Sequence, residues 1–182
     1  VTGDLHRQHP ANLFLLPVLL RHDHARFEVC VYHTGSMHEA YTRQAKGSAD
    51  RWLEAASLDD TALRQAILED GVDVLVDLAG QTATHRLGVF ALRAAPVQAT
   101  FLGYPHSTGL SSMDWIVGDA TVTPAAHAHL YSEGLAQLPA SAPFFDLLAD
   151  AEIVPDAHLP ETGVALDWER ILSAVFVHSP DY

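Results

Sequence analysis

The alternation of apolar and polar positions divides the first three quarters of the chain into short strands and helices. "NLFLLPVLLRHD" (12–23) carries a broad apolar stripe at helical spacing, and Pro17 is expected to kink it unless it falls in the first turn. "RFEVCVY" (26–32) is short and rich in β-forming residues, the signature of a buried strand. Residues 37–49 read as a helix, and "SLDDTALRQAILEDG" (57–71) reads as a better-marked one. Ser57 or Asp59 can cap it, acids fill its first turn and Gly71 closes it. "VDVLVDLAG" (72–80) is a near-continuous apolar strand, "THRLGVFALRAAP" (84–96) a helix ended by Pro96, and "VQATFLG" (97–103) a further strand. "DWIVGD" (114–119) predicts a fourth strand, and "PAAHAHLYSEG" (124–134) a helix with proline at its start.

Strands and helices in alternation, joined by short links, imply βαβ units and a parallel sheet covered on both faces. Right-handed crossovers make the expected fold α/β, a doubly wound parallel sheet. Ligands of such sheets bind beyond the carboxyl ends of the strands. Two irregular stretches, "AGQTATHR" and "LGYPHSTG", both follow strands and are therefore expected at one edge of the sheet.

Composition narrows the picture. Nearly half of the 182 residues are apolar, enough for a sizeable core, and no apolar run approaches the ~20 residues of a membrane-spanning helix. The start, "VTGDLHRQHP", lacks the regions of a signal peptide and an initiator Met, so residues are expected to precede it. The single cysteine, Cys30, excludes an internal disulfide and fits a reducing, cytoplasmic setting. A formal charge of −13 argues against nonspecific binding to nucleic acid or anionic membranes. The charge is uneven: residues 1–139 hold 15 acids against 9 bases, and residues 140–182 hold 8 acids against Arg170 alone. A segment break is therefore expected near Pro139, with an acidic, divergent tail at 140–182.

Candidate chemistry gathers at the strand ends. In "LGYPHSTG" (102–109), Gly103 and Gly109 permit close backbone approach or positive φ, and Pro105 fixes the turn. Ser107 and Thr108 can donate to sugar hydroxyls or phosphate oxygens, although the same residues also make an ordinary turn. "GQTATHR" (80–86) supplies Gln81, Thr82 and His85 at a helix entrance suited to an anion; Thr84 also serves there as a plain N-cap and His85–Arg86 as a solvated first turn. His9, next to Pro10, stands ahead of the first helix, either as a surface histidine or as a proton carrier. Twelve histidines raise the question of a metal, but His22/His24 and His127/His129 are spaced i, i+2, which on a helix points them to different sides. There is no Walker loop, no G-x-G-x-x-G and no G-x-S-x-G nucleophile elbow, so a phosphatase or hydrolase reading has no motif behind it.

Three stretches carry a more specific likeness. "DLAGQTATHRLGVFALRAAPVQATFLGYPHSTGLSSMDWIVGD", "HAHLYSEGLAQLP" and the opening "DLHRQHPANLFLLPVLLRHD" resemble the catalytic region of the O-linked N-acetylglucosamine (O-GlcNAc) transferase family, bacterial members especially. The resemblance runs from residue 1 to about 139. It implies the N-terminal, Rossmann-like lobe of a two-lobed GT-B glycosyltransferase, commonly preceded by tetratricopeptide repeats. Such enzymes move GlcNAc from UDP-GlcNAc to Ser or Thr hydroxyls of proteins, inverting the anomeric centre, with no metal and no other cofactor. The family's active-site histidine sits in an H-P motif that falls on His9 and Pro10. Its "LGYP" motif near the donor sugar falls on Leu102, Gly103, Tyr104 and Pro105.

This chain also departs from the family. D-L-H-R-Q-H-P is one residue longer than the usual spacing, and "GYPGT" reads "GYPHS", placing His106 where a glycine is usual. The tail after "LAQLP" does not resemble the second lobe, which binds UDP and supplies a lysine for the leaving diphosphate. Two functions follow from the resemblance. One is a transferase catalytic region that partners such a lobe; the alternative is an inactive remnant or binding module without it.

Overall fold

The structure, a computed structural model, describes residues 1–6, 10–83 and 85–138. Among the described residues, six parallel strands and four α-helices run in the order α1 (Pro10–Arg21), β1 (Cys30–His33), α2 (Ala40–Ser48), β2 (Arg51–Glu54), α3 (Asp60–Asp70), β3 (Val74–Asp77), α4 (Leu87–Ala91), β4 (Val97–Phe101), β5 (Trp115–Gly118) and β6 (Gly134–Gln137). β1 pairs with β2, and β3, β4, β5 and β6 pair in that order. The two groups are joined by the first residues of the chain. Thr2 N–H donates to Tyr32 O at 3.2 Å, and Thr34 N–H donates to Thr2 O at 2.9 Å. On its other side Val1 N donates to Val76 O at 2.8 Å and accepts, through its carbonyl, Leu78 N–H at 3.2 Å. The lane order is therefore β2, β1, Val1–Thr2, β3, β4, β5, β6. A cavity of about 370 Å³ continues that central lane between β1 and β3, lined by Cys30–Tyr32 and Val72–Val76.

Side-chain alternation explains why both faces are covered. Val31, Leu78, Val97, Ala99, Phe101 and Val117 point to one face, against Leu15, Leu16 and Leu19 of α1 and Ala45 of α2. Tyr32 and Leu75 point to the other, against Leu63 and Ile67 of α3 and Leu87, Val89 and Phe90 around α4. The doubly wound α/β expectation holds. A fully buried glutamine, Gln98, sits in β4. Its amide donates to Phe90 O at 2.9 Å and Ser112 O at 2.7 Å and accepts Ala94 N–H at 3.0 Å, so no polar atom is stranded.

Several expected boundaries shift. α3 begins on the Asp59 cap, whose carboxylate accepts Ala62 N–H at 2.8 Å, and ends at Gly71 in the left-handed region, as expected. Pro17 lies well inside α1 rather than in its first turn, and the helix continues through it. β2 and β6 were not foreseen: each has only four residues and is polar at one or both ends. The helix expected over 84–96 is only five residues long. Arg93 takes φ 54° and its guanidinium captures Ser112 O, Pro96 O and Asp114, which turns the chain before Pro96 is reached. Residues 124–134 form a 3₁₀ turn (Ala125–Leu130) followed by the start of β6. The tail expected at 140–182 lies outside the described residues. Among the described residues no helix is long and apolar enough to cross a membrane.

Gln98→Leu is expected to destabilise the fold by about 1–3 kcal/mol, because it takes the side-chain partner from the buried Ala94 N–H and one donor each from Phe90 O and Ser112 O. Urea denaturation should show the lower midpoint with an unchanged slope.

Candidate functional site

The chain leaves its central lane at Gly3, travels out through β1 and β2, and returns to β3 on the other side. The point where the direction reverses lies between Val1–Thr2 and β3, and a doubly wound sheet holds its ligand at the carboxyl ends of strands beside such a point. Here those ends are Gly3–His6, His33–Gly35, Leu78–Gln81 and, one lane further, Leu102–Pro105.

The turn after β3 is built around Asp77. This buried carboxylate accepts Ala79 N–H at 3.2 Å, Gly80 N–H at 2.8 Å and the Thr100 hydroxyl of β4 at 3.0 Å. Burial pushes the Asp77 pKa up, against these three donors. The loop after β4 then lies directly on that turn. A Cβ on Gly103 would collide with Leu78 O and Ala79 Cα, and a Cβ on Gly80, at φ 57°, would collide with the Tyr104 side chain. Leu102 reaches this position at φ 73°, a conformation that costs a leucine about 1–2 kcal/mol. Gln81 completes the clasp by donating to Thr108 O at 3.0 Å.

Beyond Tyr104 the segment crosses one sheet face to reach β5, where most crossovers carry a helix. Buried Thr108 gives both its amide and its hydroxyl to Oε1 of buried Glu133, at 2.7 and 2.5 Å. Ser107 Oγ meets Ser132 Oγ at 2.8 Å. These hydroxyls thus hold the loop to the chain before β6. Pro105 and His106 stay exposed at the sheet edge, with the His106 ring edge-on to Tyr104 at 5.7 Å.

The other expected residues are distributed as follows. Thr82 closes its own turn through Ala79 O at 2.9 Å. His85 is exposed, and its Nδ1 accepts Leu87 N–H at 3.4 Å. Arg86 is not a solvated first turn: its guanidinium is held by Asp60 at 2.7 Å and Leu58 O at 2.8 Å. Thr84 lies outside the described residues. Pro10 opens α1, and His9 lies outside the described residues. Ahead of it, Leu5 O accepts the Thr42 hydroxyl of α2.

Sequence reasoning missed a second group at the same edge. His33 ends β1, fully buried, with Nδ1 3.3 Å from Glu54 Oε2 and its ring tilted on Trp52 at 5.2 Å. Burial lowers the His33 pKa, Glu54 raises it, and His38 and His6 lower it further, with the net direction down. Burial opposes ionisation of Glu54, but donors from Lys46, Trp52 and His33 hold its pKa at about 2. The apolar run "EVCVYH" gave no hint that His33 would be buried, whereas an aspartate inside "LVDLAG" was a visible signal for Asp77.

The comparisons identify the class to which this doubly wound domain belongs. Residues 1–156 match glycosyl transferase family 41, and the chain belongs to that family, as part of its N-terminal catalytic region. A tomato (Solanum lycopersicum) protein described as a probable UDP-N-acetylglucosamine–peptide N-acetylglucosaminyltransferase, SPINDLY, is 34% identical over 137 residues, 73% of this chain and 15% of that protein. The corresponding Caenorhabditis elegans enzyme is 30% identical over 134 residues, 72% of this chain and 12% of that protein. A mutant O-GlcNAc transferase of Thermobaculum terrenum superposes with a TM-score of 0.73 at 39% identity, over 76% of this chain and 26% of that one. The chain thus spans only about 15% of the length of such curated relatives.

Two predictions follow from the clasp and from His33. Gly103→Ala should cost about 1–3 kcal/mol by overpacking against Leu78, whereas Gly109→Ala, where a Cβ meets open space, should cost only the left-handed backbone term. Chemical denaturation of both variants separates the two causes. For His33, the unfolded chain takes up a proton first, so its stabilisation is complete above the ordinary pKa of 6.5. That stabilisation is lost as pH falls from 6.5 through the lower folded value. Thermal melts from pH 7.5 to 5 should show the decline, and His33→Gln should flatten it.

Proposed function

We propose that this chain is the donor-side N-terminal lobe of a protein O-GlcNAc transferase, acting with a second lobe that binds UDP. The observation that carries the reading is the clasp of Leu102–Tyr104 on the Ala79–Gly80 turn, at the reversal point of a doubly wound sheet. The names borne by the relatives support it: their enzymes are called UDP-N-acetylglucosamine–peptide N-acetylglucosaminyltransferases.

The chemistry assigned to this lobe is a single inverting displacement. A Ser or Thr hydroxyl oxygen of the acceptor protein attacks the anomeric carbon of GlcNAc from the face opposite the diphosphate. The new carbon–oxygen bond forms as the bond to the phosphate oxygen breaks, UDP leaves with that electron pair, and the hydroxyl proton is lost to a base. His9 is the residue proposed to line that reaction centre, with Pro10 opening the helix that follows it. Leu102, Gly103, Tyr104 and Pro105 wall the donor sugar, Gln81 and Thr82 brace that wall, and His85 stands at its outer rim. Ser107 and Thr108 act through the loop they fasten. No metal is assigned to the reaction, and tetratricopeptide repeats and a protein acceptor are the proposed neighbours in the longer protein.

A second reading is a lobe that binds but does not transfer. The 15% span of the relatives' length favours it for these 182 residues taken alone.

Calorimetry with UDP-GlcNAc on this chain, and on the chain supplied with a relative's second lobe, tests both readings. Micromolar binding weakened by His9→Ala, with transfer to a Ser/Thr peptide once the second lobe is present, is the expected result. Binding without transfer under that condition selects the second reading. Failure to bind even with the lobe supplied overturns both.

A further inference from the structure

His22 and His24 do not lie on a helix. α1 ends at Arg21, and the turn that follows brings the two rings to a centroid distance of 3.9 Å. Their i, i+2 spacing therefore converges rather than diverges. Between them stands Asp50, from the link that joins α2 to β2. His24 Nδ1 is 2.6 Å from Asp50 Oδ1, and His22 Nε2 is 3.0 Å from Asp50 Oδ2. Asp50 Oδ2 also accepts Val29 N–H at 2.7 Å.

The protons at His22 do not balance in a neutral ring. Its side chain is wholly buried, and Nδ1 lies 2.8 Å from Leu19 O, which can only accept. Nδ1 must carry the proton, so in neutral imidazole Nε2 presents a lone pair to a carboxylate that is also only an acceptor. Something positive belongs between them: a second proton or a metal ion. A second proton would make an ion pair of His22 and Asp50 alone, whereas a metal ion would be shared by His22, Asp50 and the His24 nitrogen that converges on the same carboxylate. A ring nitrogen backed by a carbonyl, with the other nitrogen bare, is how proteins orient histidine toward a metal. All three donor atoms lie within 4.8 Å of one another, and donors around a tetrahedral zinc are about 3.3–3.5 Å apart, so small side-chain adjustments suffice.

We infer that His22, His24 and Asp50 bind a divalent cation of the zinc class, with water completing the coordination on the exposed side of His24. The site lies at the amino-terminal edge of the sheet, where β1 and β2 begin, opposite the edge that carries the clasp. Its role is structural: it ties the exit of α1 to the α2–β2 link and fixes the entry of both strands. The superficially similar trio of His33, His38 and Glu54 is less suited. The Lys46 ammonium already occupies Glu54 Oε1 at 3.0 Å, and His38 stands 4.0 Å off.

Zinc chloride titrated into the chelator-stripped chain, followed by calorimetry and thermal melting, tests the inference. The expected result is one zinc per chain at micromolar or tighter affinity, with a raised Tm. His24→Ala changes a mostly exposed ring and keeps the fold; it should weaken uptake by more than about tenfold and abolish the Tm gain. Asp50→Asn should do the same, and His38→Ala should change neither. Absence of stoichiometric uptake overturns the site. So does uptake that survives His24→Ala, or that disappears in His38→Ala.

Discussion

The candidate site depends on a backbone contact that admits no side chain. Gly103 rests on Leu78 O and Ala79 Cα, and Gly80 lies under Tyr104. Any β-carbon at either place would separate the loop after β4 from the turn after β3. Because neighbouring parallel strands stand only about 4.8 Å apart, loops leaving adjacent strands compete for the same space. Two glycines let them stack rather than splay. Asp77 fixes the lower member of the stack through two amides and Thr100, and Leu102 accepts a left-handed backbone to deliver the upper one.

The rest of the fold serves that contact. With Val1–Thr2 in the central lane and strands on both sides of it, the carboxyl ends of Val1–Thr2 and β3 lie side by side with no crossover between them. The clasp closes the far side of that point. Replacing the β4–β5 crossover helix by an extended loop would leave polar backbone over a buried face. Glu133 for Thr108, and Gln98 for Ser112, supply the missing partners. The loop is thereby held at both ends, which turns a stretch of turn-forming residues into a rigid wall.

The central strands were legible because burial on both faces demands continuous apolar runs, and α3 was legible because its cap and its terminal glycine are both local signals. β2 and β6 were not, since four-residue strands take their identity from pairing rather than from pattern. α4 was overestimated because the residue that ends it, Arg93, acts through distant carbonyls. The strand-end loops stood out by their glycines, prolines and hydroxyls, and the likeness to the glycosyltransferase family rested on the same residues. Which partners those hydroxyls take was hidden, because Thr108 and Glu133 are 25 residues apart. The meeting of His22, His24 and Asp50 was hidden for the same reason, compounded by the assumption that α1 ran through residue 23.

One clasp holds the two loops as a single body. Hydrogen exchange read amide by amide in the native chain and in Gly103→Ala tests it most directly. Amides at 80–82, at 104 and at 106–108 should accelerate together, by about tenfold for each 1.4 kcal/mol lost, while β5 and β6 keep their protection. Acceleration confined to 104–108, with the Ala79–Gln81 turn unchanged, would contradict it.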